Sequence, residues 1–256
     1  MCYECRIEDN IVIFTINNGK VNAINLEILE AMGVAIDRIN NEVELKGLVI
    51  TGTDRYFSGG FDLNTFTSFV SGQAIIDWFK LEEEILYKLF TCTKPVVAAI
   101  NGHATAAGMI ISMACDYRLV VNHPKIMLGM TEIKLGLALS PAEAGIMKFG
   151  LDTDKKYRDV IFGGELFNPA MAVQREIYDE LVDDPGSLLN RAKAKVIDFI
   201  DHPGRSFIGL KIMEKKEPAA NMRKEIDAFD WNMLVELFTS QEVLNTLRFA
   251  KKALGV

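Results

Sequence analysis

One glutamate, Glu132, stands in an apolar segment, residues 128–137, with the sequence LGMTEIKLGL. Neighbours such as Leu128, Met130 and Ile133 are expected to keep water from its carboxyl group. Removal from water disfavours the charged form and raises the pKa of a carboxyl group toward neutral pH, where a general base works best. Taken alone, Glu132 also suits the first turn of a helix, where acidic side chains are common. The segment therefore contains one candidate acid–base group.

Two turns rich in small residues could bring backbone amides close to a ligand. The first, residues 56–63, reads YFSGGFDL, and its adjacent glycines, Gly59 and Gly60, allow a tight turn. The second, residues 101–108, reads NGHATAAG and leads from a buried strand into an apolar helix. A helix N-terminus offers unpaired amides and a partial positive charge, which stabilise an oxyanion that develops there. An ordinary turn is the alternative for the first segment.

Nearly the whole chain, including the loop at 56–63 and most specifically residues 94–136, resembles the crotonase superfamily, the enoyl-CoA hydratases and isomerases. The resemblance implies that two backbone amides hold the thioester oxygen of the substrate, and by position these belong to Phe61 and Ala107. The catalytic glutamate of the family matches Glu132. The family usually has three glycines where this chain has Ala106, Ala107 and Gly108. A backbone donor does not require glycine, but an added methyl group would narrow the pocket.

The residue at position 110 separates the activities within this family. Many hydratases carry a second glutamate there, whereas this chain has Ile110, which we expect to form an apolar wall of the cavity. The resemblance is greatest to the mitochondrial-type Δ3,Δ2-enoyl-CoA isomerases. Moving a double bond from 3-enoyl-CoA to trans-2-enoyl-CoA through a dienolate needs one carboxyl group, here Glu132, whereas adding water usually takes two.

Two alternatives to the isomerase remain open at the level of the sequence. One is an enoyl-CoA hydratase, or another acyl-CoA lyase or decarboxylase, that uses Glu132 with a second acid. Glu143 is a candidate for that acid, although a solvated position on a helix is the simpler interpretation. The other alternative is a non-catalytic acyl-CoA-binding protein, which the alanines at 106 and 107 favour.

The resemblance also implies how coenzyme A is bound, as part of the substrate and with no other cofactor or metal. Five positions match the family's CoA contacts: Ala23, Asp62, Leu63, Phe249 and Lys252. Phe249 and Lys252 would reach the CoA of a neighbouring subunit. Asp62 is also expected to fix its own loop by accepting backbone hydrogen bonds. His103 is expected to pack or to form a hydrogen bond rather than to react.

Apolar patterns predict the elements that carry these residues. Buried strands are predicted at 11–16, 47–51, 95–100, 116–121 and 126–128, and helices at 26–40, 73–90, 108–114 and 141–149. Only helices follow residue 185, at 186–200, 205–216, 219–238 and 241–254. Alternating strands and helices predict an α/β fold with largely parallel sheets. The resemblance implies a spiral of ββα units over residues 1–185 and a helical C-terminal oligomerisation region over 186–256.

Composition limits the class of protein. The 256 residues are 49% hydrophobic and 25% charged, with a net charge of −7, which does not favour binding to nucleic acid. No apolar run approaches the ~20 residues of a membrane span. Neither terminus resembles a targeting signal, so we expect a cytoplasmic protein. The resemblance implies a homotrimer or homohexamer. The apolar residues Met233, Leu234, Leu237 and Phe238 would either supply its contacts or pack in the core of their own chain.

Overall fold

Two β-sheets form the framework of the protein. The computed structural model describes residues 2–255. Met1 and Val256, at the termini where targeting signals were considered, lie outside the described residues. The strands are β1 (Tyr3–Glu8), β2 (Ile11–Ile16), β3 (Gly47–Gly52), β4 (Tyr56–Ser58), β5 (Val96–Ile100), β6 (His103–Thr105), β7 (Tyr117–Val121), β8 (Leu128–Gly129), β9 (Leu166–Phe167) and β10 (Glu180–Val182).

The larger sheet has the strand order β1-β2-β3-β5-β7-β10, and all its pairs are parallel except β1 with β2. The smaller sheet has the order β4-β6-β8-β9, in which only β8 and β9 are antiparallel. Every residue of β2 and of β5 is buried. Helices cover both faces of such parallel sheets, so their central strands are apolar throughout.

Helices connect the strands and form the C-terminal third of the chain. They are α1 (Leu26–Asn41), α2 (Leu63–Phe66), α3 (Gly72–Phe90), α4 (Ala107–Ala114), α5 (Glu132–Leu135), α6 (Pro141–Gly150), α7 (Asp154–Tyr157), α8 (Pro169–Gln174), α9 (Leu188–Ile200), α10 (Ser206–Ala228), α11 (Asn232–Thr239) and α12 (Gln241–Leu254). A π-helical turn, Arg158–Phe162, and two 3₁₀ turns, Pro185–Ser187 and Pro203–Arg205, complete the list.

The predicted helices 205–216 and 219–238 are divided at the wrong place, because α10 continues through Pro218 to Ala228 and a separate helix, α11, begins at Asn232. A proline inside a helix removes one backbone hydrogen bond, but tertiary contacts hold this helix in place. Lys211 and Lys215 on α10 are buried, and both form ion pairs with the carboxylate of Asp116, at 2.5 and 3.1 Å. The helix is therefore anchored to the core on the N-terminal side of its proline.

Sequence patterns missed β1, β10 and three of the four short strands of the smaller sheet. Strand β1 is at the edge of the larger sheet and alternates Glu4, Arg6 and Glu8 with less polar residues, so no continuous apolar run marks it. The strand predicted at 126–128 is shifted and comprises Leu128–Gly129. Strands of two or three residues are too short to show a period.

The helical C-terminal region is packed against the core. Helix α9 contacts β3, β5 and β7 of the larger sheet. On α11, Leu234 and Phe238 are buried within the same chain, which corrects the expectation that both supply a subunit contact, whereas Met233 is 60% exposed. The predicted boundary between residues 185 and 186 follows the last strand, and it stays a prediction.

Candidate active site

A cavity of about 450 Å³ opens between the smaller sheet, the helices α2, α3 and α5, and the C-terminal helices. Most of its wall is apolar, and two carboxyl groups, Glu132 and Glu143, line the same space. Other side chains or backbone segments in the wall are Val21, Ala23, Gly60, Phe61, Asp62, Leu63, Phe66, Phe79, His103, Ala106, Leu135, Leu137, Phe238, Ala250, Ala253 and Leu254.

Glu132 begins the short helix α5 directly after β8. Its backbone position is fixed on both sides: Gly129 has a φ of 147° and a close neighbour in the Glu165 carbonyl, and Gly136 ends the helix in the left-handed conformation. The Oε2 atom of Glu132 is buried and has no hydrogen-bond partner among the described residues. Burial raises the pKa of Glu132 to about 7, and the charge of Glu143 also raises it.

The expected surroundings of Glu132 are correct in part. Leu128 and Met130 are buried, as the sequence predicted, but Ile133 is 51% exposed and does not shield the carboxyl group. Leu135 and Leu137, which follow on the same segment, line the cavity instead. The short helix turns Ile133 toward solvent, because adjacent residues of a helix point in different directions.

The two small-residue turns meet at Gly60. A Cβ atom added to Gly60 would lie 2.7 Å from the Cβ of Ala106 and 3.7 Å from the backbone nitrogen of Ala107. Around Gly60, the Ile24 amide donates to the Gly60 carbonyl and the Asp62 amide donates to the Ile24 carbonyl, both at 2.8 Å. The amide of Phe61, between these bonded residues, donates to no other described residue.

The amide of Ala107 is the first of helix α4, so it has no partner within the helix. The amides of Phe61 and Ala107 therefore belong to two touching segments. Phe61 and Ala106 line the cavity, whereas Ala107 is buried directly behind Ala106 in sequence and is not part of the lining. Such a pair of donors can stabilise an oxyanion.

The structure shows which of the two alanines departs from ordinary geometry. Ala107 lies in α4, where alanine is the residue most compatible with a helix. Ala106 has φ 55° and ψ −129°, a conformation that glycine adopts without strain and other residues rarely adopt. The backbone strain expected from alanine in this turn is therefore at residue 106 and not at residue 107.

Ile110 does not form the apolar wall expected from the sequence. Its side chain is buried within the hydrophobic core and is not among the residues that line the cavity. Aromatic side chains supply much of that wall: Phe66 contacts Phe238 with ring centres 4.9 Å apart and Phe79 at 5.7 Å. No sequence pattern indicated this role of Phe79 and Phe238, because they lie on helices far from the motifs.

Glu143 is not the solvated helix residue that the sequence suggested. It is 6% exposed and lines the cavity, and its Oε2 atom accepts a hydrogen bond from the Ser140 amide at 2.7 Å. Ser140 and Glu143 form a capping box at the start of α6. Burial raises the pKa of Glu143 to about 7, against the hydrogen bonds of Ser140, which lower it.

Three of the predicted CoA contacts, Ala23, Asp62 and Leu63, line the cavity. Asp62 caps helix α2 and accepts a hydrogen bond from the Asn64 amide at 3.0 Å, so its predicted role in fixing the loop is confirmed. Phe249 and Lys252 are exposed on α12 and do not line this cavity. Their predicted contact with the CoA of a neighbouring subunit stays a prediction.

His103 lines the cavity and has the hydrogen-bonded role that the sequence suggested. Its Nδ1 atom accepts from the Met127 amide at 3.1 Å, and its ring packs on Tyr56 with centres 4.7 Å apart. Burial lowers the pKa of His103, which favours the neutral ring.

The last wall of the cavity comes from α12, which the motifs did not indicate. Ala250, Ala253 and Leu254 of this helix face the cavity. The Lys20 ammonium group donates to the Leu254 carbonyl at 2.8 Å and connects the helix to the loop that precedes Ala23.

Comparison with known proteins agrees with this geometry. A family model described as enoyl-CoA hydratase/isomerase matches residues 6–244. The chain belongs to the enoyl-CoA hydratase/isomerase family. It is 26% identical to the mitochondrial enoyl-CoA delta isomerase 1 of Mus musculus over 219 residues, 85% of this chain and 75% of that protein. It is 25% identical to a probable enoyl-CoA hydratase of Bacillus subtilis over 205 residues, 80% of this chain and 78% of that protein.

The predicted fold of this family member is confirmed by its similarity to a solved structure. The human mitochondrial Δ3-Δ2-enoyl-CoA isomerase superposes on all of this chain and 98% of its own with a TM-score of 0.90, at 22% sequence identity. The protein is thus an enzyme of the crotonase fold that belongs to an acyl-CoA-processing family. Among the described residues, no helix is long and apolar enough to cross a membrane.

Proposed function

We propose that this enzyme moves the double bond of 3-enoyl-CoA to give trans-2-enoyl-CoA, with Glu132 as the only acid–base catalyst. The observation that carries the proposal is the unpartnered, buried Oε2 atom of Glu132 in a largely apolar cavity whose wall includes Phe61 and Ala106, the residue before Ala107. A carboxyl group with a pKa of about 7 can accept a proton and return it near neutral pH. The similarity to the mouse isomerase supports the same activity.

In the proposed mechanism, the thioester oxygen accepts hydrogen bonds from the amides of Phe61 and Ala107. These bonds make the C2 proton more acidic, and Glu132 removes it. The electron pair of the C2–H bond moves to the thioester, which gives a dienolate with negative charge on the held oxygen. Glu132 then returns the proton to C4 while the double bond forms between C2 and C3, so no atom is gained or lost.

The substrate would bring coenzyme A as its own acyl carrier, with no further cofactor. Ala23, Asp62 and Leu63 would contact the CoA part, and Phe249 and Lys252 would reach the CoA of a neighbouring subunit. That arrangement calls for a homotrimer or homohexamer. A cytoplasmic location is the proposed compartment, and the four free cysteines suit its reducing conditions.

A hydratase is the second candidate function, and Glu143 is the observation that favours it. Glu132 and Glu143 line the same cavity, which satisfies the usual need for two carboxyl groups in the addition of water. The similarity to the probable hydratase of Bacillus subtilis supports the same alternative.

Product analysis with purified protein distinguishes these activities. The protein is incubated separately with 3-hexenoyl-CoA and crotonyl-CoA, and the products are separated by liquid chromatography and identified by mass. We expect 2-hexenoyl-CoA without hydration of crotonyl-CoA, and a loss of activity of about 10²–10⁴-fold in Glu132→Gln. Glu236→Gln, which changes an exposed glutamate of α11, is the matched control.

The other outcomes would reject the isomerase. Hydration of crotonyl-CoA that disappears in Glu132→Gln would establish the hydratase. Binding of both esters without turnover would indicate a non-catalytic acyl-CoA-binding protein.

A further inference from the structure

Three carboxyl groups meet behind the cavity, where α3 packs against α6. Glu82 and Glu83 on α3 are fully buried, and Glu143 on α6 is almost fully buried. No basic side chain is among the influences on their ionisation. Like charges without counter-charges cannot all be ionised in a buried place, so these groups must differ in which of them hold protons.

Hydrogen-bond donors indicate where the negative charge rests. Glu83 accepts from the Ser140 hydroxyl group at 2.5 Å, and both its oxygens accept from the Ala142 amide at 3.0 Å. Glu143 accepts from the Ser140 amide at 2.7 Å. All these donors are at the N-terminus of α6, a ten-residue helix whose partial positive charge favours anions. Glu83 and Glu143 are therefore the best-supported carboxylates of the group.

Glu82, the third member of the group, lacks such donors, and Glu132 in the cavity has only backbone hydrogen bonds at Thr131 and at its own residue, which lower its pKa. Both side-chain oxygens of Glu82 are buried without a hydrogen-bond partner among the described residues, as is Oε2 of Glu132. An ionised carboxylate in that state is strongly disfavoured, so Glu82 is held as the neutral acid. Glu132 is then the group in the cavity whose charge depends most on its neighbours.

We propose that Glu143 is a positioning residue that acts through Glu132: its negative charge, held by the Ser140 amide, repels a second charge in the same cavity and makes Glu132 a stronger base. The proposal rests on the proposed function and deepens it, because it names the group that tunes the catalytic carboxyl. The raised pKa of Glu132 agrees with it: burial raises this pKa most, hydrogen bonds from the backbone at Glu132 and Thr131 lower it, and the charge of Glu143 raises it further.

Other charged groups near α6 are directed elsewhere. Helix α4 has no ionisable side chain. On α10, Lys215 is paired with Asp116, and Arg223 is paired with Glu84. Two further residues of α10, Glu217 and Glu225, line a groove on the other side of α6. Lys148 of α6 and Asp154 of α7 line the same groove. The titratable groups around Glu143 are thus Glu82, Glu83 and Glu132, with His103 and Asp62 elsewhere in the wall of the same cavity.

The first test is a carboxyl titration by NMR, which does not depend on turnover. The protein is labelled with ¹³C at the glutamate carboxyl carbon, and Glu132→Gln and Glu143→Gln assign the two signals. Glutamine at 143 keeps an oxygen that can accept from the Ser140 amide, so the helix cap is retained. In wild type, Glu143 should ionise at lower pH than Glu132. In Glu143→Gln, the midpoint of Glu132 should fall by about one pH unit.

The second test is the pH profile of isomerisation with 3-hexenoyl-CoA. Removing the charge weakens the base, so the acidic limb should move to lower pH and kcat at high pH should fall roughly two- to fivefold, with little change in KM. Glu143→Asp, which keeps the charge, should restore the wild-type limb. Glu84→Gln, which changes the next, exposed residue on α3, is the control and should alter neither measurement.

Several results would overturn the proposal. One is a Glu143→Gln variant in which the pH midpoint of Glu132 ionisation is unchanged. Another is a wild-type titration in which Glu132 ionises at lower pH than Glu143, and this result does not depend on the folding of any variant. Selective loss of crotonyl-CoA hydration in Glu143→Gln would instead make Glu143 a catalytic acid. If wild type lacks isomerase activity but the Glu132 midpoint still moves, the proposed function fails and the electrostatic role remains.

Discussion

Gly60→Ala is expected to damage the amide pair of Phe61 and Ala107 without touching Glu132. Gly60 has φ 116°, and a Cβ atom added there would lie 2.7 Å from the Cβ of Ala106, closer than such atoms approach in proteins. The backbone strain costs on the order of 1–3 kcal/mol of stability. Relief of the contact requires the two turns to move apart, and these turns hold the proposed oxyanion donors.

The expected catalytic loss follows from the displacement of one donor. Removal of an oxyanion donor costs about 3–4 kcal/mol, so kcat should fall on the order of 10²–10³-fold. Steady-state isomerisation of 3-hexenoyl-CoA measures this loss, and urea unfolding measures the change in stability.

A second substitution separates the steric contact from the backbone strain. Ala106→Gly removes the methyl group that the new Cβ would meet, and it also relieves the positive φ of residue 106. Gly60→Ala combined with Ala106→Gly should therefore recover at least about tenfold in kcat over Gly60→Ala alone. A double variant no more active than Gly60→Ala, or full activity in Gly60→Ala, would refute the reasoning.

Two further predictions concern stability. Glu82→Met should raise the free energy of unfolding, because the buried carboxyl has no partner and burial raises its pKa in the folded state well above that of the unfolded chain. The folded wild type therefore holds a proton on Glu82 that the unfolded chain releases, and it loses stability as the pH rises above about 4.5. The advantage of Glu82→Met in free energy of unfolding should then increase with pH. Urea titrations of both proteins at several pH values will measure it. Asp116→Asn leaves Lys211 and Lys215 buried without a counter-charge. It should lower the free energy of unfolding by about 3–5 kcal/mol at pH 7. Wild-type stability in this variant would contradict the structural role of the ion pairs.

The parts of the fold that sequence reasoning predicted are those with one dominant local signal. Strands β2 and β5 are continuous apolar runs, and α12 begins and ends where the helical pattern predicted. Strand β1 has no such run. It is held in the sheet by its antiparallel pairing with β2, which the side-chain pattern of β1 does not indicate. Helix α10 passes through Pro218 because contacts distant in sequence outweigh the local cost of the proline.

The same distinction applies to the site. The motifs carry Glu132, Phe61 and Ala107, because these positions depend on turns and caps that local sequence encodes. The burial of Glu143 was not visible, since Ser140 and Glu143 form a capping pattern that is equally common on exposed helices. Only the packing of α3 on α6 shows that this cap is inside the protein.

We expect the wall contributed by α12 to form late in folding. The hydrogen bond from Lys20 to Leu254 joins residues 234 positions apart. Contacts of such sequence separation form slowly, because the chain between them must lose its freedom first. We therefore expect the large sheet to form while the cavity is still open along the side that Ala250, Ala253 and Leu254 cover. A nascent chain that ends before α12 contains Glu132 but lacks one wall of the cavity that Glu132 lines.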